Sequence, residues 1–378
     1  MLNSKTEALG IIFPNSYDAM VPELASERLM ASIPFASRYR MCDFILSSMV
    51  HSGIDNISII VRKNYHSLLD HLGREWDLVR KNGGLNIVPP FAQKQVKVFE
   101  GRIEALESLR GYLLKQPQKY VIMTDANIAI NFDFNELLDA HIKSGADVTM
   151  MYRKQEIPKA FIRQSRDRMD LYYALGMNGD RVSKIYINPT EEGEMNFSMN
   201  IYVVEREFLI NMIDDAYVHG HTYFVRDLLD KQIDRLDIRG FCYDGYVVNI
   251  HDTQSYFEEN MRLLQEENLN ALFSPNQIYT KIRDDNPTRY INGSKAKNVM
   301  VADGCVIEGE VENSVLFRGV HVGKGAKVKN CVLMQDTVVE DNASVEYVIT
   351  DKNVRVTEGK SLTGNESYQV YVSKGQVV

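Results

Sequence analysis

The sequence predicts an α/β fold with a mostly parallel sheet, followed by a parallel β-helix. Three observations carry this. Strand-like and helix-like patterns alternate from Leu9 to about Phe273, which is how a mostly parallel sheet with crossover helices reads in sequence. From Ile291 onward there are nineteen Val and only three Leu, interspersed with Gly, Asn, Asp and Lys, and helical periodicity stops. Apolar positions then recur six apart, at Val322 and Val328, Val332 and Val338, Val339 and Val345, and Val348 and Val354, the spacing of stacked short strands in a β-helix.

The elements follow in order. "LGIIF" reads as a buried strand and "DFILSSMVHSG" as a helix whose Phe44, Ile45, Met49 and Val50 share a face, stopped at Gly53. "DNISIIV" is the next strand. "KYVIMT" precedes a helix with Phe134, Leu137, Leu138 and Ile142 at helical spacing before Gly145, and "ADVTMMY" is extended again. "MNFSMNIYVVEREFLINMI" runs from strand into helix. "GYVVNIHDTQSYFEENMRLLQEENLNALF" repeats that plan, with Asp252 as N-cap and an apolar stripe of Phe257, Met261 and Leu264 that Asn268 interrupts and Leu272 resumes. These patterns divide the chain into an α/β domain over 1–273, a linker over 274–290 rich in turn formers, and a repeat domain over 291–378. An antiparallel all-β domain is the alternative for the last part. The repeat drifts in phase at Asn330 and Glu346.

A formal charge of -8 and pI near 5.6 argue against a nucleic-acid binder, since phosphate-backbone affinity needs clustered Lys and Arg. Cys42, Cys242, Cys305 and Cys331 are scattered without metal-ligand spacing, which points to a reducing cytoplasm and no zinc. No apolar run approaches the roughly 18 residues of a membrane span. One absence stands out: no glycine occurs from Ile11 to Ser52, although a phosphate loop after a first strand relies on glycine for close backbone approach. Ligands of such a domain sit beyond the carboxyl ends of its strands, so the turns after "LGIIF", "KYVIMT", "SKIYI" and "GYVVNI" are expected to line the cleft.

The order of "FASRYRMCDFILSSMVHSGI", the repeat tail and the helix after "HDTQSYF" resembles glucose-1-phosphate adenylyltransferase, or ADP-glucose pyrophosphorylase, over nearly the whole chain. The resemblance implies a Rossmann-like nucleotidyltransferase domain followed by a left-handed β-helix. It also implies a reaction that joins ATP to glucose 1-phosphate with release of pyrophosphate. Family members use a GGxGxRL loop, a following Lys, two Asp that hold Mg²⁺, and a Lys that grips the sugar phosphate. Here the loop reads Phe13-Pro14-Asn15-Ser16-Tyr17, the first Lys falls at Met30, and Glu100 stands where a cation is expected. The metal-binding Asp positions fall at Ala126 and Asn249, and the sugar-phosphate Lys at Asn188. Asp125, one residue from Ala126, reads as a solvated turn aspartate because neighbouring strand residues face opposite ways.

Each such loss would cost on the order of 10² to 10³ in rate, though not additively. The resemblance therefore narrows to the family's non-catalytic, activity-modulating subunits. What matches the family is Arg38, Arg40 and Asp43 in its "KFRIIDF" element and Ser198 in its "SMGIYVF" element, expected as a vestigial sugar-phosphate or effector pocket. An Arg40–Asp43 ion pair that fixes the first helix is the purely structural alternative. His321 and the "HGH" at His219 to His221 read as surface and loop residues. The implied partner is a catalytic pyrophosphorylase subunit in a hetero-oligomer, which the resemblance implies is a tetramer, with a homo-oligomer and a small phosphorylated effector also open. Mg²⁺ is expected only on that partner, with no tightly bound cofactor, no nucleic acid and no membrane.

Overall fold

The computed structural model describes residues 7–73, 76, 84–89, 101–162, 171–191 and 193–378. Glu100 lies outside the described residues. Ala8–Phe13 is a fully buried strand. It pairs in parallel with Asn56–Ile60 on one side and Tyr120–Asp125 on the other, and Gly84–Val88 extends the sheet beyond Asn56–Ile60. Parallel neighbours need crossovers. The helix Met41–His51 supplies the first, and Gly53 follows it at φ 76°.

The second half of the sheet is antiparallel in character. Glu194–Glu205 runs antiparallel to both Tyr120–Asp125 and Val148–Glu156, Ile238–Cys242 returns parallel to the latter, and the hairpin Tyr173–Asn178/Arg181–Ile187 closes the edge. Nine strands join in this sheet among the described residues. The carboxyl ends of the parallel half, at Phe13 and Asp125, meet in register and define the cleft.

Two helices depart from the sequence reading. In Phe134–Ser144 the fourth inward position is His141, with Phe134, Leu137 and Leu138, whereas Ile142 is 45% exposed. A 3.6-residue period places position 141, not 142, beneath 134 and 137. There the imidazole bonds Thr149 at 2.8 Å. After Asp252, which caps its helix through Ser255 N–H at 2.6 Å, the expected single helix is two, Thr253–Arg262 and Glu266–Phe273. The break falls at 263–265, upstream of Asn268.

The C-terminal part is a parallel β-helix. One face stacks Arg289–Tyr290, Val306–Ile307, His321–Val322, Val338–Val339 and Arg355–Val356, so the first rung begins in the segment read as linker. Val311, Val328, Val345 and Leu362 stack at steps of seventeen residues. Seventeen is six, five and six, and the short side explains the phase drift. Asn298, Asn313, Asn330 and Tyr347 form a column of corners at φ 52°, 44°, 49° and 52°, a left-handed turn that asparagine tolerates well. The corner moves the next inward residue from Val338, half-buried, to Val339, fully buried, which corrects the pair Val332 and Val338. A Cβ at Gly309 would collide with the Ala326 carbonyl of the coil above. Gly309→Ala is therefore expected to cost about 1 to 3 kcal/mol, read as a lowered unfolding midpoint.

The two parts share a core. Tyr256, Phe257 and Leu263 of the last helical region cluster with Val315, Phe317, Val332, Met334 and Ile349 of the β-helix. Beside them Arg28 and Asp351 pair at 2.6 Å, with side chains 3% and 1% exposed.

Candidate functional site

A cleft of about 420 Å³ opens beyond Phe13 and Asp125, walled by Tyr17, Tyr173, Tyr223 and Phe224. The loop at its mouth is held by its own side chains. Asn15 Oδ1 accepts from Arg62 N–H at 2.9 Å and its amide donates to Asp18 at 2.6 Å, while Asp18 accepts from Met30 N–H at 2.7 Å. Burial pushes the Asp18 carboxyl up to about 7, against the pull of the Asn15 and Met30 bonds. Tyr17 sits at φ 64°, a backbone shape glycine would take without steric cost. It is held by its hydroxyl, which donates to the Leu171 carbonyl at 3.0 Å and accepts from Asn200 at 2.7 Å. A glycine-free loop, tied by its side chains to Met30, Arg62, Leu171 and Asn200, thus stands where a phosphate cradle is expected.

Asp125 overturns the solvated-turn reading. It is fully buried, faces this cleft, and accepts from Ser16 Oγ at 2.6 Å and from the Arg102 guanidinium. Asp125 and Ala126 do face opposite ways, but it is Ala126 that points into the core. Arg102 also lies over the rings of Phe13 and Tyr202, at 4.7 and 5.7 Å. Burial pushes the Asp125 carboxyl up and Arg102 opposes that push. Burial likewise disfavours the Arg102 cation, but Asp125 together with Tyr202, Tyr17 and Tyr173 outweighs it and the guanidinium stays charged.

The family position of a divalent ion can be tested against these residues. Asp125 is the one carboxylate among the described residues that line the cleft, and a guanidinium already engages it. Magnesium sites rest on one or two free carboxylates with substrate phosphates. The residues present do not fit the ion.

Other predicted positions scatter. Met30 is buried in the core. Asn188 turns a hairpin end at φ 48°, bonding Tyr172 through both its N–H and its Oδ1, and does not line the cleft, so the turn after "SKIYI" lies off the site. Asn249 accepts from Asn127 at 3.2 Å in a tight recess of about 10 Å³ that also holds Ser198, which is buried and accepts from Asn200 N–H at 3.2 Å. His321 meets Glu308 at 3.0 Å. His219 and His221 stack in a loop, 5.9 Å between centroids.

Arg38 and Arg40 belong to a different recess, about 140 Å³, between the two parts of the chain. Arg40 donates to Ser67, and its backbone N–H, not its guanidinium, meets Asp43 at 2.9 Å, so no Arg40–Asp43 ion pair forms. Asp43 instead binds His71 at 2.6 Å. Cys42 Sγ lies within 4.8 Å of those two groups, but burial pushes the thiol well up, which keeps its proton and disfavours a metal. Sequence reading missed Lys281, Arg283, Arg318 and Lys352, which join Arg38, Arg40 and His71 around this recess. Burial, then Arg40 and Arg28, pushes Lys352 down to about 7. Arg318 is 8% exposed and its Nε has no hydrogen-bond partner.

The sequence has known relatives. Residues 23–266 match the nucleotidyl transferase family, and residues 282–371 match the GlmU-like, C-terminal hexapeptide family. The chain is 32% identical over 377 residues to glycogen biosynthesis protein GlgD of Bacillus subtilis (strain 168), covering 98% of this chain and 97% of that one. It is 35% identical over 324 residues to GlgD of Geobacillus stearothermophilus, covering 85% and 82%. Glucose-1-phosphate adenylyltransferase of the latter organism is 30% identical over 338 residues, covering 86% and 84%. The chain belongs to the nucleotidyl transferase family, within the group that GlgD and glucose-1-phosphate adenylyltransferase form.

Proposed function

We propose that the chain acts in glycogen biosynthesis as a regulatory, non-catalytic subunit that binds a homologous catalytic ADP-glucose pyrophosphorylase subunit in the cytoplasm and changes its activity. The observation that carries this reading is the cleft. Its one described carboxylate is engaged by Arg102, its loop has no glycine and is pinned to neighbouring segments, and the positions of metal and phosphate ligands hold Met30, Ala126, Asn188 and Asn249. The near full-length likeness to proteins named GlgD supports the pathway. Among the described residues no helix is long and apolar enough to cross a membrane.

A second reading rests on the recess between the two parts, where six cationic side chains converge. It would hold a small phosphorylated effector, alone or in the assembly, and differential binding to two states of the assembly would give control.

Pyrophosphate release from ATP and glucose 1-phosphate should be measured with this chain alone, a catalytic homologue alone, and both mixed. The expected result is silence alone and a changed rate in the mixture. Turnover by this chain alone would overturn the reading in favour of a divergent, active nucleotidyltransferase.

A further inference from the structure

From the cleft we infer that Arg102 is a tethered replacement for a divalent cation, and that its charge is what keeps metal ions out. This rests on the non-catalytic reading and adds one residue's role to the lost ligand positions that support it. Three features define the arrangement. The guanidinium engages Asp125 Oδ1 and is braced over Phe13 and Tyr202, so it is fixed in place. Asp125 is buried, and its Oδ2 has no hydrogen-bond partner. Ser16 Oγ stands 2.6 Å from Oδ1.

A buried carboxylate needs a counter-charge. Here the chain provides it from the start of the helix Arg102–Leu113. Freed of the guanidinium, the Asp125 carboxylate and the Ser16 hydroxyl would offer oxygen donors of the kind a hard ion such as Mg²⁺ or Mn²⁺ takes. The fixed guanidinium repels that ion while leaving Oδ2 idle. An orphaned oxygen costs stability, and it persists because the single charge of Arg102 neutralises Asp125 without covering both of its oxygens.

Mn²⁺ uptake, followed by loss of the free-ion electron paramagnetic resonance signal, tests this. The parent should bind no ion at Asp125, Arg102→Met should bind one per chain, and the double variant Arg102→Met/Asp125→Asn should lose it. Mg²⁺ at ten times its Kd should raise the unfolding midpoint of Arg102→Met by about 2 °C and leave the parent unchanged. Arg102→Gln, whose amide can still donate to Asp125, serves if the methionine variant does not fold.

No uptake by the neutral variants would overturn the inference. So would Mn²⁺ binding by the parent that Asp125→Asn abolishes, a result that needs no Arg102 variant to fold. The regulatory reading fails separately, through turnover by the parent alone; metal uptake without turnover in Arg102→Met leaves that reading intact.

Discussion

Asp351→Ala lowers the stability of the chain by about 3 to 5 kcal/mol, the usual cost of leaving half of a buried ion pair uncompensated. Arg28 donates to both carboxylate oxygens, at 2.6 and 2.8 Å, and the Tyr371 hydroxyl adds a contact at 2.9 Å. In the variant the guanidinium stays sealed between the two parts of the chain with only the Leu24 carbonyl, at 3.2 Å, to receive a proton. For a protein of this size the unfolding midpoint should fall by roughly 5 °C. Arg28→Met/Asp351→Leu should recover most of that loss, because replacing both charges with well-packed apolar groups is often neutral. If the double variant is as unstable as the single one, the contact matters through packing and not through charge.

The second large effect concerns anions. Sulfate, a dianion across the useful range, should bind the recess that Arg40, Arg318 and Lys352 line, and its affinity should fall as pH rises. The sign follows from Lys352, pushed down to about 7 by burial and by Arg40 and Arg28. Its ammonium is charged below that value and neutral above it, so between pH 6 and 8 the recess loses one positive charge. A charge-assisted contact contributes about 1.5 to 3 kcal/mol, so sulfate affinity should drop about tenfold or more over this interval. A bound dianion itself favours the ammonium, which moves the midpoint upward. Lys352→Ala should flatten the dependence, and Arg40→Ala/Arg318→Ala should weaken sulfate about 10²-fold or more. Titration calorimetry at three pH values reads all of this; pH-independent binding that survives Lys352→Ala would show that Lys352 does not face the anion.

Much of the fold was legible because short-range periodicity reports it. The strand Ala8–Phe13, the helix Met41–His51 and the Asp252 cap follow from neighbours within a few residues. The β-helix was visible through its spaced valines, and the drift at Asn330 was the trace of a left-handed corner. Missing glycines pointed to a loop without a phosphate cradle. Asp125 was misread because a strand pattern gives alternation but not which side faces the cleft. Arg102 carries no local signal: only the packing of its helix against the central strands brings it to Asp125. The cationic recess was half visible, since its residues come from segments around 38, 281, 318 and 352 that only the docking of the two parts unites.

The β-helix is also a ruler. One residue inserted between Val322 and Val328 would turn inward side chains outward for the rest of that side, so length can change only by whole coils or at a corner. The chain shows two such changes, the first a coil of fifteen residues from Lys295 to Glu310. Val332 pairs with Ile349 seventeen residues on, but Val348 pairs with Val370 at a distance five residues greater. The excess leaves the prism as a loop, and its Glu366 carbonyl accepts from Gln254 at 3.0 Å on the helix Thr253–Arg262. That corner is where this architecture can lengthen and alter how its two parts grip one another while every valine in the prism keeps its place.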